Sequence, residues 1–190
     1  MDEPISLDYG NCVLYRMCQE EPSHQDPRVV AGKIWLIGRA YAAPIERGSG
    51  QTGKSNDLYR KVAEAMRPDF DLWLSDISDI KSAGINNIYR ILTVYRLFID
   101  LLRTHTGRER RSFASKYLHF HMPGAFFIYD SRADVEIRSR SGDRVHIPPE
   151  CRQADPVYAA FSVRCIRYRD SSATRRQMTP RELDRELLGY

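Results

Sequence analysis

The sequence predicts an all-α fold, a compact multi-helix domain, and three observations predict it. Apolar residues recur three or four positions apart in every long segment, the spacing of one helix face. No stretch keeps the apolar–polar alternation of a half-buried strand. Asp26-Pro27, Asp155-Pro156 and Thr179-Pro180 each set a capping side chain before a proline, the order favoured at a helix start.

In chain order, Asp8 is placed to cap a first helix with Tyr9, Cys12, Val13 and Met17 on one side, ended by Glu20-Glu-Pro-Ser-His24. Asp26-Pro27 opens a second over Arg28 to Ala43, where Val30, Ile34, Ile37 and Tyr41 repeat at helical spacing with Trp35 and Arg39 beside them. A third covers Ser55 to Met66 on Leu58, Val62, Ala65 and Met66, closed by Pro68. Asp71 to Ser82 reads as a short helix on Leu72, Leu74, Ile77 and Ile80. Asn86 or Asn87 then caps the longest, whose stripe Ile88, Ile91, Leu92, Tyr95, Phe98, Ile99 and Leu102 belongs in the centre of the fold. After an arginine-rich turn, Ser112 to His121 forms the next helix, and Ser131 to Arg138 another. His146 to Pro149 is a loop. Asp155-Pro156 opens a helix through Tyr158, Phe161 and Cys165 to about Arg169, and Ser171 to Gln177 is a polar linker. The last helix starts with the capping box Thr179-Pro-Arg-Glu182 and carries Leu183, Leu187 and Leu188.

Chemistry concentrates between Ser112 and Ala133. Phe113, Ala114, Tyr117, Leu118 and Phe120 cover most of one helix, and Lys116 is its only formal charge. A poorly solvated ammonium has its pKa pushed down toward the range where the amine is a nucleophile; the alternative is a lysine whose stem snorkels to water. Pro123-Gly124 ends this helix. The apolar run Ala125-Phe-Phe-Ile-Tyr129 then leads into Asp130, well placed as the cap of the following helix, where backbone N–H groups and the helix dipole hold a carboxylate ionised. A capping aspartate alone is a common structural feature. A helix, a Pro-Gly turn and an apolar link would return this one to the neighbourhood of Lys116.

Lys116 followed by a short helix, a proline, an apolar run and Asp130-Ser-Arg132 resembles the helix-hairpin-helix DNA glycosylases, especially the branch whose lysine nucleophile serves in removing oxidised purines. The resemblance covers Thr104 to Arg138 as a motif and the rest of the chain only in being helical. It implies a single helical domain over residues 1–190, with two lobes flanking a DNA groove, and an extruded nucleotide whose sugar faces Lys116 and Asp130. Two departures stand out. Thr106-Gly-Arg-Glu-Arg-Arg-Ser112 replaces the family's Leu-Pro-Gly-x-Gly hairpin, and the lysine-to-aspartate gap is about one helical turn shorter. The chain also resembles small bacterial phage-defence glycosylases that excise glucosylated hydroxymethylcytosine from viral DNA.

On this reading the partner is double-stranded DNA carrying a modified base, the protein acts as a monomer, and no cofactor is required. Arg108, Arg110 and Arg111 grip phosphates. Trp35, Tyr41 and Tyr129 stack on the displaced base, and Arg39 and His121 read its polar edges.

One motif competes. Gly48-Ser-Gly-Gln-Thr-Gly53-Lys54-Ser55 matches the phosphate-loop pattern, which taken alone means nucleotide hydrolysis or phosphoryl transfer. A true phosphate loop follows a buried strand, and Tyr41 to Arg47 contains Pro44 and two charges, so the stretch is read instead as a mildly basic surface loop. A non-catalytic DNA-binding helical module is the third reading.

With 190 residues and net charge +4, the chain is long enough for one core and mildly basic, compatible with nucleic acid without a histone-like excess. No run approaches a membrane span, and the acidic start Met1-Asp-Glu-Pro4 is unlike a signal peptide, so a cytoplasmic setting is expected. The four cysteines form no Cys-x-x-Cys pair and His119-x-His121 points its rings apart, so reduced thiols and no metal site are expected.

Overall fold

A computed structural model describes residues 8–47 and 55–189. Among these it is all-helical, with nine α-helices: α1 Asp8–Glu20, α2 Pro27–Ala40, α3 Ser55–Met66, α4 Phe70–Ser75, α5 Ile88–Thr106, α6 Arg111–His121, α7 Ser131–Ser141, α8 Pro156–Asp170 and α9 Pro180–Leu188. A single 3-10 turn, Pro149–Cys151, precedes α8. No helix among the described residues is long and apolar enough to cross a membrane.

The start signals act as their chemistry requires. Asp26 accepts from the Arg28 amide and Asp155 from the Tyr158 amide, while Thr179 and Glu182 complete a reciprocal capping box. α5 is the central rod, and its whole predicted stripe from Ile88 to Leu102 is buried. It packs on α3, α4 and α6; α1 and α2 close over α6, and α7 packs on α8 and α9. One hydrophobic core runs through all of them, from Leu14 in α1 to Leu187 in α9.

Several expectations are corrected. The buried side of α1 is Leu14 and Cys18, not Tyr9 and Val13, which are 71% and 49% exposed. The helix carries apolar residues on two faces, and contact with α2 and α6 selects between them. The predicted cap role of Asp8 falls on a side chain outside the described residues. α2 stops at Ala40 where Ala42 turns to a positive φ of 50°, and the Gly38 and Arg39 carbonyls accept from the Ala43 and Ala42 amides instead of continuing the helix. α4 covers only Phe70–Ser75. Beyond it the chain turns so that the Asp76 carbonyl and the Asp79 carboxylate meet Arg90, and Leu72 is 62% exposed. Asn87 holds the cap position of α5, but its side chain reaches back to Gly84 and Ser82.

The turn from α5 to α6 is built from a left-handed Gly107 at the helix end and from Thr106, whose hydroxyl accepts from the Arg108 amide and the Arg110 side chain and donates to the Arg108 carbonyl. Arg110 enters α6 at φ 46°, a conformation that costs a non-glycine residue about 1–2 kcal/mol.

Candidate active site

Every residue from Phe113 to Phe120 is buried, so α6 is apolar almost all round and sits inside the molecule. Lys116 is buried with it, at 2% exposure. Its stem does not snorkel to water. Its Nζ donates to Ser112 Oγ at 2.7 Å and to the Tyr129 carbonyl at 3.1 Å, and lies 3.8 Å from Asp130 Oδ2. Burial pushes the ammonium pKa below the usual lysine range, with Asp130 and the buried Asp184 of α9 pulling the other way.

The partner carboxylate is positioned by the link after α6. Gly124 makes the return possible: a Cβ there would stand 2.1 Å from the Lys81 carbonyl oxygen, and the Gly124 carbonyl accepts from the Ala83 amide at 2.8 Å. From there the link is pinned at three residues. His119 Nδ1 meets the Phe126 carbonyl at 2.8 Å, the Tyr158 hydroxyl donates to the Phe127 carbonyl at 2.9 Å, and Ser115 Oγ accepts from the Tyr129 amide at 3.0 Å. The chain then delivers Asp130 to the N-cap of α7, where Oδ1 accepts from the Arg132 and Ala133 amides at 3.0 and 2.9 Å. The Asp130 side chain is 32% exposed, so the carboxylate faces outward with the amine behind it.

The other end of this segment is held by the same brace. Tyr95 of α5 and Tyr158 of α8 stack with ring centroids 3.6 Å apart and planes 9° apart. The Tyr95 hydroxyl donates to the Arg111 carbonyl at the start of α6, as Tyr158 does to the link.

Of the five residues expected to form a base pocket, Tyr41 lies beside the pair. Its ring centroid is 5.5 Å from Lys116 Nζ, its hydroxyl donates to Asn11, and its ring edge meets Phe120. Tyr129 contributes its carbonyl; its ring turns toward Tyr158 and Phe161 of α8. Trp35 and Arg39 lie on the outer face of α2, where Trp35 is 48% exposed and Arg39 pairs with Glu46. His121 is five residues from Lys116, about 140° around the helix. It joins a separate cluster, stacking on Tyr117, packing at a tilt against His24 and sitting 3.4 Å from Lys33 Nζ.

The three hairpin arginines have different fates. Arg111 binds Asp155 through Nε at 2.9 and 3.0 Å and pairs with Glu109, tying α6 to the cap of α8. Arg110 donates to Thr106 and to the Arg47 carbonyl. Arg108 is exposed, with no side-chain partner among the described residues. All three border a groove of about 320 Å³ that also meets Ala42, Pro44, Arg47 and Ser112.

Sequence reasoning passed over Ser112, Ser115 and Asp184. Ser112 was legible in principle, because it precedes Lys116 by four residues and i,i+4 pairs share a helix face. No group of three or more metal-ligating side chains occurs among the described residues. The Gly48 to Lys54 stretch lies outside the described residues. Tyr41 to Arg47, just before it, is turn and coil, and no strand occurs among the described residues. Comparison with known proteins found no matching family model, curated protein or solved structure.

Proposed function

We propose that the protein is a DNA glycosylase that takes a modified base out of the duplex and cleaves its glycosidic bond at Lys116 and Asp130. The observation that carries the reading is the buried lysine amine 3.8 Å behind a capping carboxylate with one oxygen left outside the cap. As the glycosidic bond lengthens, positive charge grows on the sugar, and Asp130 Oδ2 is the anion available to stabilise it. Desolvation favours the neutral form of Lys116, whose lone pair attacks the anomeric carbon as the base departs. The covalent product rearranges to a Schiff base that permits strand cleavage. Tyr41, against the amine, offers a stacking face to the displaced base.

The arginine-bordered groove lies along the hairpin, meets the site at Ser112, and has the charge to hold the phosphate backbone. Arg108 is the strongest candidate for such a contact, because Arg111 is engaged with Asp155 and Glu109. A phosphate-loop enzyme is the poorer reading: the glycine-rich stretch needs a buried strand delivered to its first glycine, and it follows turn and coil.

The test incubates the protein with DNAs carrying normal, oxidised, uracil-containing and glucosyl-hydroxymethylated bases and measures released base by mass spectrometry. Release from one DNA, lost in Asp130→Asn, supports the reading and identifies the substrate; the phage-type modified cytosine is the expected one. Borohydride trapping of a protein–DNA adduct that disappears in Lys116→Ala assigns the nucleophile. Salt-sensitive DNA binding with no base released from any substrate would replace the enzyme by a binding module.

A further inference from the structure

We propose that Ser112 is a positioning residue that serves as the proton outlet of Lys116, its hydroxyl accepting a proton from the buried ammonium and passing its own to water in the arginine-bordered groove. The inference deepens the glycosylase reading and rests on it for its purpose, since an amine must be neutral before it attacks.

The groups around Nζ differ in what they can do with a proton. The Tyr129 carbonyl, at 3.1 Å, accepts a hydrogen bond but is a peptide oxygen with no proton of its own to hand on. Asp130 Oδ2, at 3.8 Å, stands beyond hydrogen-bond distance, and Oδ1 is occupied by two amides of α7. Ser112 Oγ is at 2.7 Å, and a hydroxyl both accepts and donates.

Position completes the case. Lys116 is 2% exposed, so its ammonium has almost no direct contact with bulk water. Ser112 sits at the start of α6, is half-buried, and lines the groove beside Arg108 and Arg110. Ser112 therefore borders both the amine and the groove. In the proton transfer an Nζ–H bond breaks as a new Oγ–H bond forms, and the original serine O–H breaks as a groove water takes its proton. Ser112 ends as it began, and Lys116 is left as a neutral amine with a free lone pair.

The experiment uses the DNA-free protein, labelled with ¹⁵N, and follows by NMR the exchange of the Lys116 side-chain protons with water, the signal being assigned by its loss in Lys116→Arg. In Ser112→Ala exchange is expected to slow by about 100-fold, the lower end of what one positioned proton-transfer group contributes. Ser112→Thr, which keeps the hydroxyl, is expected to restore it. Unchanged or faster exchange in Ser112→Ala, or slow exchange in Ser112→Thr as well, overturns the proposal. Should Ser112→Ala fail to fold, Ser112→Val, which has no exchangeable side-chain proton, replaces it, with the same slowing expected and the same overturning result. Because no DNA is present, a failure of base release counts against the glycosylase reading alone, and a failure of the exchange result counts against the outlet alone.

Discussion

Asp130 divides its carboxylate between two duties: Oδ1 closes the first turn of α7, and Oδ2 lies 3.8 Å from the amine of Lys116. On the proposed reading the two oxygens separate stability from chemistry. Asparagine is as good an N-cap as aspartate but carries no charge to face Lys116, so Asp130→Asn is expected to lose base release while costing less stability than loss of the cap as well. Asp130→Ala is expected to lose both base release and the cap, with the missing cap costing about 1 kcal/mol in denaturant titration.

Gly124 permits no side chain. The nearest atom to its would-be Cβ is a backbone oxygen, which cannot swing aside as a side-chain tip does. Gly124→Ala is expected to destabilise the fold by about 1–3 kcal/mol, the range for forcing atoms into a packed interior. Urea unfolding would measure it.

The hairpin arginines are expected to separate in two assays. Arg111→Ala strands the Asp155 carboxylate, which is 5% exposed on its side chain. Removing one member of a buried ion pair costs about 3–5 kcal/mol; the partial exposure of Arg111 places this case at the lower end. Arg108→Ala is expected to leave stability unchanged and lower the salt dependence of DNA binding by about one phosphate contact.

Acid sensitivity is expected from the buried histidines. Burial lowers the pKa of His24 to about 4, with Lys33 adding to the effect and Asp71 opposing it, and lowers that of His119 to about 4. His121, beside His24 and Lys33, is lowered too. Each is neutral in the fold while its unfolded counterpart takes a proton below about 6.5. In that window the unfolded chain binds more protons, so stability is complete above pH 6.5 and falls as pH drops toward 4, by up to about 1.4 kcal/mol per pH unit for each histidine. Denaturant midpoints between pH 7 and 4.5 would show the fall, and His24→Asn is expected to flatten it.

Local signals were legible wherever one residue decides the outcome. Asp26, Asp130, Asp155 and Thr179 cap the helices their sequence contexts announce. The return of Asp130 to Lys116 was also legible, since a turn at Pro123-Gly124 leaves an apolar link little choice but to run back along α6. What escaped depends on contacts between distant segments. Tyr9 and Leu14 are both apolar, and only the neighbouring helices decide which is buried. α4 ends early where its continuation meets Arg90. His121 follows Lys116 closely in sequence but belongs to a core network, where Lys33 is bonded to the Glu21 and Ser23 carbonyls and His24 bridges Asp71 and Tyr117.

The stacked tyrosines have a mechanical consequence. Tyr95 holds the start of α6 and Tyr158 holds the link that ends at Asp130, and the two rings rest flat against each other. The segment carrying Lys116 and Asp130 is thereby gripped at both ends like work in a vice. A displacement of α8 against α5 would shift one jaw against the other, so the gap between amine and carboxylate is tied to how those two helices sit on each other.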